Sequence, residues 1–225
     1  MDGFELYIDD RIKNRKIKFF NQFSLDLRYD SVGSSFGFKA YFDPENPDHK
    51  AAFCVSHYHR VKVKFNGELL LTGIVTNQSF SEGSTRELTT IGGYSLTGVL
   101  QDCTPDPNSY PLQFDGLSLS EITSKLLRPF KLDFIVDDSV KSKVNKTFKK
   151  STPDPTTKIK DYLTGVASQK DIVITHNEKG ELVYTKAKTD SKSIAFFSFS
   201  RYSSKSDKLI RVNSSNTITF IKIGR

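Results

Sequence analysis

The chain has 225 residues, 36% of them hydrophobic, with a mean hydropathy of −0.42, and no run approaches the roughly 20 apolar residues of a membrane helix. Its 33 Lys and Arg against 26 Asp and Glu give a formal charge of +7. The basic residues are spread over strands and loops, which favours solubility or an acidic protein partner over specific nucleic-acid binding.

The acidic start MDGFELYIDD lacks the basic and apolar regions of a signal peptide. The two cysteines, Cys54 and Cys103, are expected as reduced thiols rather than a bridge. Phe4 to Ile8 alternates with polar neighbours and predicts a first strand. Arg11 to Lys18 is a basic turn and strand entry, and the alternation of Phe23, Leu25 and Leu27 predicts a second strand. After the loop Asp30 to Ser35, Phe36 to Phe42 reads as a third strand, with Gly37 permitting a bend. Asp43 to Lys50, with Pro44 and Pro47, reads as a surface connection, and Phe53 to His59 is ambiguous.

Arg60 to Cys103 carries the densest signals. Val61, Val63 and Phe65 alternate with Lys62 and Lys64, and Asn66-Gly67 supplies the positive φ values of a tight hairpin. A two-residue loop sets Val63 opposite Leu70 and Val61 opposite Thr72. Leu69 and Leu71 then share the other face with Lys64 and Lys62. A face mixing leucines with long basic side chains is a candidate subunit contact, although lysine stems alone also suffice to shield the leucines. The strand from Thr72 runs to Phe80, Ser81 to Ser84 turns it, and Arg86 to Ile91 returns. Leu96, Val99, Leu100 and Cys103 then form one apolar helical stripe. Five or six short strands separated by turns predict an antiparallel barrel or sandwich over residues 1–103.

Pro105 and Pro107 break this pattern and mark a domain boundary. Ser118-Leu119-Ser120-Glu121 is a capping-box sequence opening a helix that Pro129 ends. Lys131 to Val136 is a strand. Ile159, Tyr162, Leu163, Val166 and Ala167 lie on one face of a second helix. Ile172 to Thr175 and Glu181 to Thr185 flank a turn at Asn177 to Gly180, so residues 104–188 predict a small α+β domain. Beyond a charged connector, Ile194 to Tyr202 is aromatic-rich, with Phe197 and Phe199 in alternation. Leu209 to Val212 and Thr217 to Ile223 are further strands.

Motifs for chemistry are sparse. Cys54, His57 and His59 form C-x-x-H-x-H, but no second paired cluster completes a zinc site, and a polar strand face explains the histidines better. Asp43, Glu45 and Asp48 lack the spacing of a calcium loop. The adjacent pairs Asp9-Asp10 and Asp137-Asp138 point apart on a strand. No nucleophile elbow, phosphate loop or dinucleotide fingerprint occurs. The expectation is no catalytic residue, cofactor, metal or small-molecule substrate. The lysines of Lys141 to Lys150 read as a solvated loop.

The order of elements resembles the baseplate hub proteins of phage tails, in particular Mu-like contractile tails and the late-control and spike-hub families. The resemblance rests on the three-stranded meander and Gly73, Gly92, Ser95, Asp102 and Cys103. It rests also on the proline-rich junction, the α+β pattern and the hairpin SQKDIVITHNEKGELVYTKAK. It implies a mixed β and α+β chain in three parts: an antiparallel β-barrel (1–103), an α+β domain (104–188) and the start of a second β-barrel (189–225). The sequence stops before that barrel is complete, as expected of a fragment or a shorter variant. The implied role is structural, without turnover: a homotrimer whose barrels form a ring adapting the central spike to the tail tube, near DNA in the channel. Such a protein sits in the virion tail baseplate and is assembled in the bacterial cytoplasm. Candidate subunit contacts are Leu69, Leu71, Phe197 and Phe199. The alternative, a nucleic-acid-binding β-barrel protein, requires aromatics exposed on a basic groove. Phe19, Phe23, Phe38 and Phe65 fit core positions instead. A tail-associated hydrolase has only fold-level association in its favour.

Overall fold

The computed structural model describes residues 4–9, 14–17, 20–53, 58–81, 88–187, 208–213 and 217–223. The N-terminal strands are β1 (Phe4–Asp9), β2 (Asn14–Ile17), β3 (Phe20–Arg28) and β4 (Ser35–Tyr41). A short helix, α1 (Pro47–Ala52), precedes the meander β5 (Arg60–Phe65), β6 (Glu68–Ser81) and β7 (Leu88–Ser95). A 3-10 helix, Leu96–Gln101, leads into the second region. That region holds α2 (Leu119–Leu127), β8 (Phe134–Val136), α3 (Lys141–Val144), α4 (Ile159–Ser168), β9 (Val173–His176) and β10 (Leu182–Thr185). Two C-terminal strands follow, β11 (Lys208–Asn213) and β12 (Thr217–Ile223).

The large antiparallel sheet has the order β11-β12-β3-β4-β7-β6-β5-β1-β2. Five strand intervals separate β3 from β1, on the order of 24 Å in a flat sheet. Yet the rings of Phe4 on β1 and Phe23 on β3 lie 4.8 Å apart. The sheet therefore curls until its separated strands share one core. Leu6, Phe23, Phe38, Val63 and Ile91 are buried in it from five different strands. This is the expected barrel-like architecture. The C-terminal strands, expected as the opening of a second barrel, are hydrogen-bonded to it: β12 pairs with β3 from Thr217↔Arg28 to Ile223↔Gln22.

The hairpin at Asn66-Gly67 forms as expected, with φ of 50° and 85°, and Phe65 and Lys64 pair with Glu68 and Leu69. One step on, the register changes. Val63 pairs with Leu71 and Val61 with Gly73, instead of Leu70 and Thr72. Leu70 is the extra residue of a β-bulge, and an inserted residue turns every later side chain to the opposite face. Leu71 consequently lies in the core, 1% exposed, beside Val61 and Val63. Phe65, expected inside, is 38% exposed and packs its ring against Phe4 at 4.9 Å.

The connection Asp43 to Lys50 is more ordered than its prolines suggest. Asn46 caps α1 by accepting from the Asp48 amide, and Pro47 takes a first-turn position where its missing N–H costs nothing. Phe53 and His59 next to it are buried, and His59 Nε2 donates to the Ala51 carbonyl at 3.1 Å. His59 is thus part of the interior rather than of a polar strand face. Cys54 and His57 lie outside the described residues.

The smaller sheet, β8-β10-β9, sets β8 parallel to β10 and β9 antiparallel to it. The apolar faces of α2 and α4 share its core: Ile122 and Leu126 with Leu163, Val166, Leu182 and Tyr184. The capping box forms, with the Ser118 amide donating to Glu121 Oε2 and the Glu121 amide to Ser118 Oγ. Lys141 to Lys150 is not a plain loop. Val140 and Val144 bury α3 against this core, while Lys143 bonds Asp171 at 3.3 Å. The Lys170 amine lies 3.7 Å above the Phe148 ring.

Candidate interface and interdomain joint

Of the four residues expected at subunit contacts, only Leu69 stands at an accessible surface. Leu71 is in the core, and Phe197 and Phe199 lie outside the described residues. Leu69 and Leu70 are half-buried. With Leu27 and Tyr29 they form the apolar side of a groove of about 370 Å³, whose other wall is Thr175 to Glu178. The groove lies where the curled sheet meets the α+β domain. A two-residue alternation missed this surface because the bulge that places Leu70 beside Leu69 has no sequence signature here.

The two cores are joined at three places. Val32, in the loop between β3 and β4, is 1% exposed and belongs to the core of the α+β domain, as does Leu100 of the 3-10 helix. Gly33 in the same loop lies against that helix so closely that a Cβ would stand 3.0 Å from the Gly98 Cα. Gly180 closes the β9–β10 turn at φ +83° and presses on Leu96, where a Cβ would come within 2.9 Å. Only glycine meets both demands at Gly180.

The third join is polar. The Arg28 amide donates to Ser34 Oγ at 2.8 Å, and Ser34 Oγ stands 2.8 Å from His176 Nε2. His176 Nδ1 is 3.2 Å from the Asn177 carbonyl, an acceptor, so Nδ1 carries the proton and Nε2 accepts from the serine hydroxyl. Ser34 and Ser95 exchange backbone and side-chain bonds, with Ser95 N donating to Ser34 O at 2.8 Å. Burial holds the His176 imidazole below its usual pKa, while the Asn177 carbonyl opposes that shift. The Ser–His contact has the outline of an activated nucleophile, but Ser34 is 1% exposed and no substrate reaches its oxygen. It is a structural bond. Sequence reading passes over it because 142 residues separate its partners.

Of the positions that carry the sequence resemblance, Gly73 permits β6 and β7 to approach, since a Cβ there would stand 2.3 Å from the Tyr94 carbonyl oxygen; neighbouring Gly93 does the same from β7, at 1.9 Å from the Ile74 carbonyl oxygen. Burial raises the Tyr94 phenol well above its usual range, as does its hydrogen bond to Asp102. Cys103 is a free thiol, likewise raised by burial and by Asp102.

A curled antiparallel sheet is thus joined through a 3-10 helix to a small α+β domain. Residues 97–186 match the family model of the second domain of gp44-like baseplate hub proteins. The match begins inside the 3-10 helix, in keeping with Leu100 belonging to the second core and not to the first. No curated protein sequence matches the chain. The 43 kDa tail protein of prophage MuSo2 from Shewanella oneidensis is similar in structure. Its TM-score is 0.68 at 18% identity, over 83% of this chain and 55% of that one. The tail protein from Neisseria meningitidis MC58 gives 0.66 at 19% identity, over 94% and 61%. A chain of the half-lidded Francisella PdpA-VgrG complex gives 0.53 at 11% identity, over 81% and 31%. The chain thus spans 55% and 61% of the two tail proteins.

Proposed function

We propose that this hub component works as a homotrimer that forms a ring between the central spike and the tail tube of a phage or related contractile injection machine. The match of residues 97–186 to a hub second domain, placed behind a curled tail-protein sheet, is the observation that carries this reading. Within it, residues 1–103 are the first barrel, 104–188 the α+β domain, and 189–225 the start of a second barrel, of which strand β12 pairs with β3. The role is one of surfaces rather than turnover, exercised in the virion tail after assembly in the host cytoplasm. The fold likeness to a chain of the Francisella PdpA-VgrG complex supports a spike-associated setting.

Leu69 is the contact residue this reading favours. Covering it and its neighbours removes apolar area from water at about 25 cal/mol per Å², against the rigid-body freedom lost on association. Light scattering across a concentration series of the complete gene product tests the proposal. A trimer is expected that Leu69→Asp weakens without unfolding the α+β domain. Leu71→Asp buries a charge in the core and is expected to unfold the sheet instead. A strict monomer at high concentration, indifferent to Leu69→Asp and without affinity for a spike protein, overturns the reading.

A further inference from the structure

We propose that a pocket at the C-terminal end of α2 is a docking site for an acidic segment of a protein partner, one that carries an apolar side chain among its carboxylates. The pocket shares no residue with the groove at Leu69, and its use is independent of the ring.

The pocket has a volume of about 500 Å³ and is lined from the segment before α2 and from the end of α2 itself. Its shape is fixed locally. The Asp106 carboxylate accepts from the Asn108 amide at 2.9 Å and caps the 3-10 turn Pro107–Ser109. Phe114 is 2% exposed, with its ring 6.0 Å from that of Tyr162 and its amide donating to the Ser151 carbonyl at 2.9 Å. Arg128 follows the last residue of α2 and opens the 3-10 turn Arg128–Phe130. Lys125 and Arg128 therefore stand at i and i+3 on one side of the helix end. A partner meets a surface that needs little ordering.

The charges favour an acidic occupant. Lys125 and Arg128 are exposed, and neither has a carboxylate within ion-pair distance among the described residues. Glu121, one turn back, acts on Lys125, but its carboxylate is bonded to the Ser118 amide and hydroxyl. Asp106, the carboxylate of the lining, is taken up by the Asn108 amide. Helix polarity accounts for cations at the end of α2, but not for a cavity walled by prolines beside them. A guanidinium binds a carboxylate through paired N–H donors. Pro111 and Pro129 are exposed and rigid, and with the aliphatic stem of Lys125 they receive an apolar side chain. The same cations attract phosphates, but a bound single strand also needs exposed aromatic faces for its bases. Phe114 is the aromatic residue of the lining and is buried, so a peptide fits better than a nucleic acid.

Exposed ion pairs are individually weak, so binding requires both parts of the segment. Each pair is worth about threefold in affinity and is weakened by salt. The apolar side chain adds to this by leaving water.

The test is an NMR titration of the isotope-labelled full chain with four probes. They are the end-capped peptide Asp-Leu-Phe-Asp-Asp, its uncharged analogue Asn-Leu-Phe-Asn-Asn, its truncated analogue Asp-Ala-Ala-Asp-Asp, and a single-stranded thymidine oligonucleotide. The acidic apolar peptide is expected to shift the amides of residues 106–114 and 125–130 saturably, and the other three to do so more weakly. Lys125→Gln and Arg128→Gln are each expected to weaken that peptide by about threefold. Both side chains are exposed, so both variants are expected to keep the wild-type spectrum outside the pocket. Shifts that are absent or lie elsewhere overturn the proposal. So do equal binding of either analogue, variants that bind as the wild type does, or tighter binding of the oligonucleotide at the same amides. If a variant does not fold, the four probes on the wild type decide: preference for the acidic apolar peptide at these amides supports the site, and any other result overturns it.

Discussion

Thr123 and Tyr184 form a fully enclosed polar pair, both 0% exposed. The Thr123 hydroxyl donates to the Leu119 carbonyl at 2.7 Å and so remains an acceptor for the Tyr184 hydroxyl at 2.6 Å. The two deletions are therefore unequal. Tyr184→Phe leaves Thr123 satisfied by Leu119 and is expected to cost about 0.5–1.5 kcal/mol. Thr123→Val leaves a phenol buried without a partner and is expected to cost about 1–3 kcal/mol. Because both remove the same bond, the double variant should cost less than the sum, read from urea unfolding midpoints.

At the scale of the element, the meander depends on backbone approach as much as on side chains. Gly93 on β7 faces the Ile74 carbonyl of β6, and neither backbone has room to move without breaking the ladder. A Cβ at Gly92 meets only the Asn77 side chain, at 2.3 Å, which is free to turn aside. Gly93→Ala is expected to cost about 1–3 kcal/mol by overpacking and Gly92→Ala distinctly less, compared by thermal unfolding. The start of α2 gives a second test. Ser118→Ala removes the cap and is expected to cost about 1 kcal/mol, measured in the same way. Glu121 is fully exposed, and its carboxyl is held below the usual range by the Ser118 side chain and then by its backbone. The cap therefore favours folding above the ordinary carboxylate pKa and weakens as pH falls through the lowered one.

Across the whole molecule, the two sheets are separate but their cores are not independent. Val32 reaches from the first region into the core of the second, beside Leu100. Val32→Ala removes the equivalent of two buried methylenes, about 1–2 kcal/mol, and is expected to lower hydrogen-exchange protection in the α+β domain although the residue belongs to the β3–β4 loop. A loss confined to the curled sheet would show that the join carries no stability. In the ring proposed above, this coupling lets load on one part of a subunit pass to the other through packed side chains rather than through a flexible linker.

The local choices were legible from the chain alone. Period-two runs place β3 and β4, helical spacing places α4, Asn66-Gly67 sets the hairpin, and Ser118 with Glu121 sets the start of α2. Each depends on neighbours within a few residues, where covalent geometry and one buried face determine the outcome. Tertiary structure decided what those faces touch. The bulge at Leu70 sends Leu71 inward and leaves Leu69 outside, because a single inserted residue satisfies the core better than strict alternation does. Val32 enters the far core and Ser34 meets His176 across 142 residues of chain. Such contacts arise only when the curled sheet and the α+β domain are brought together, and no local pattern in the sequence encodes that closure.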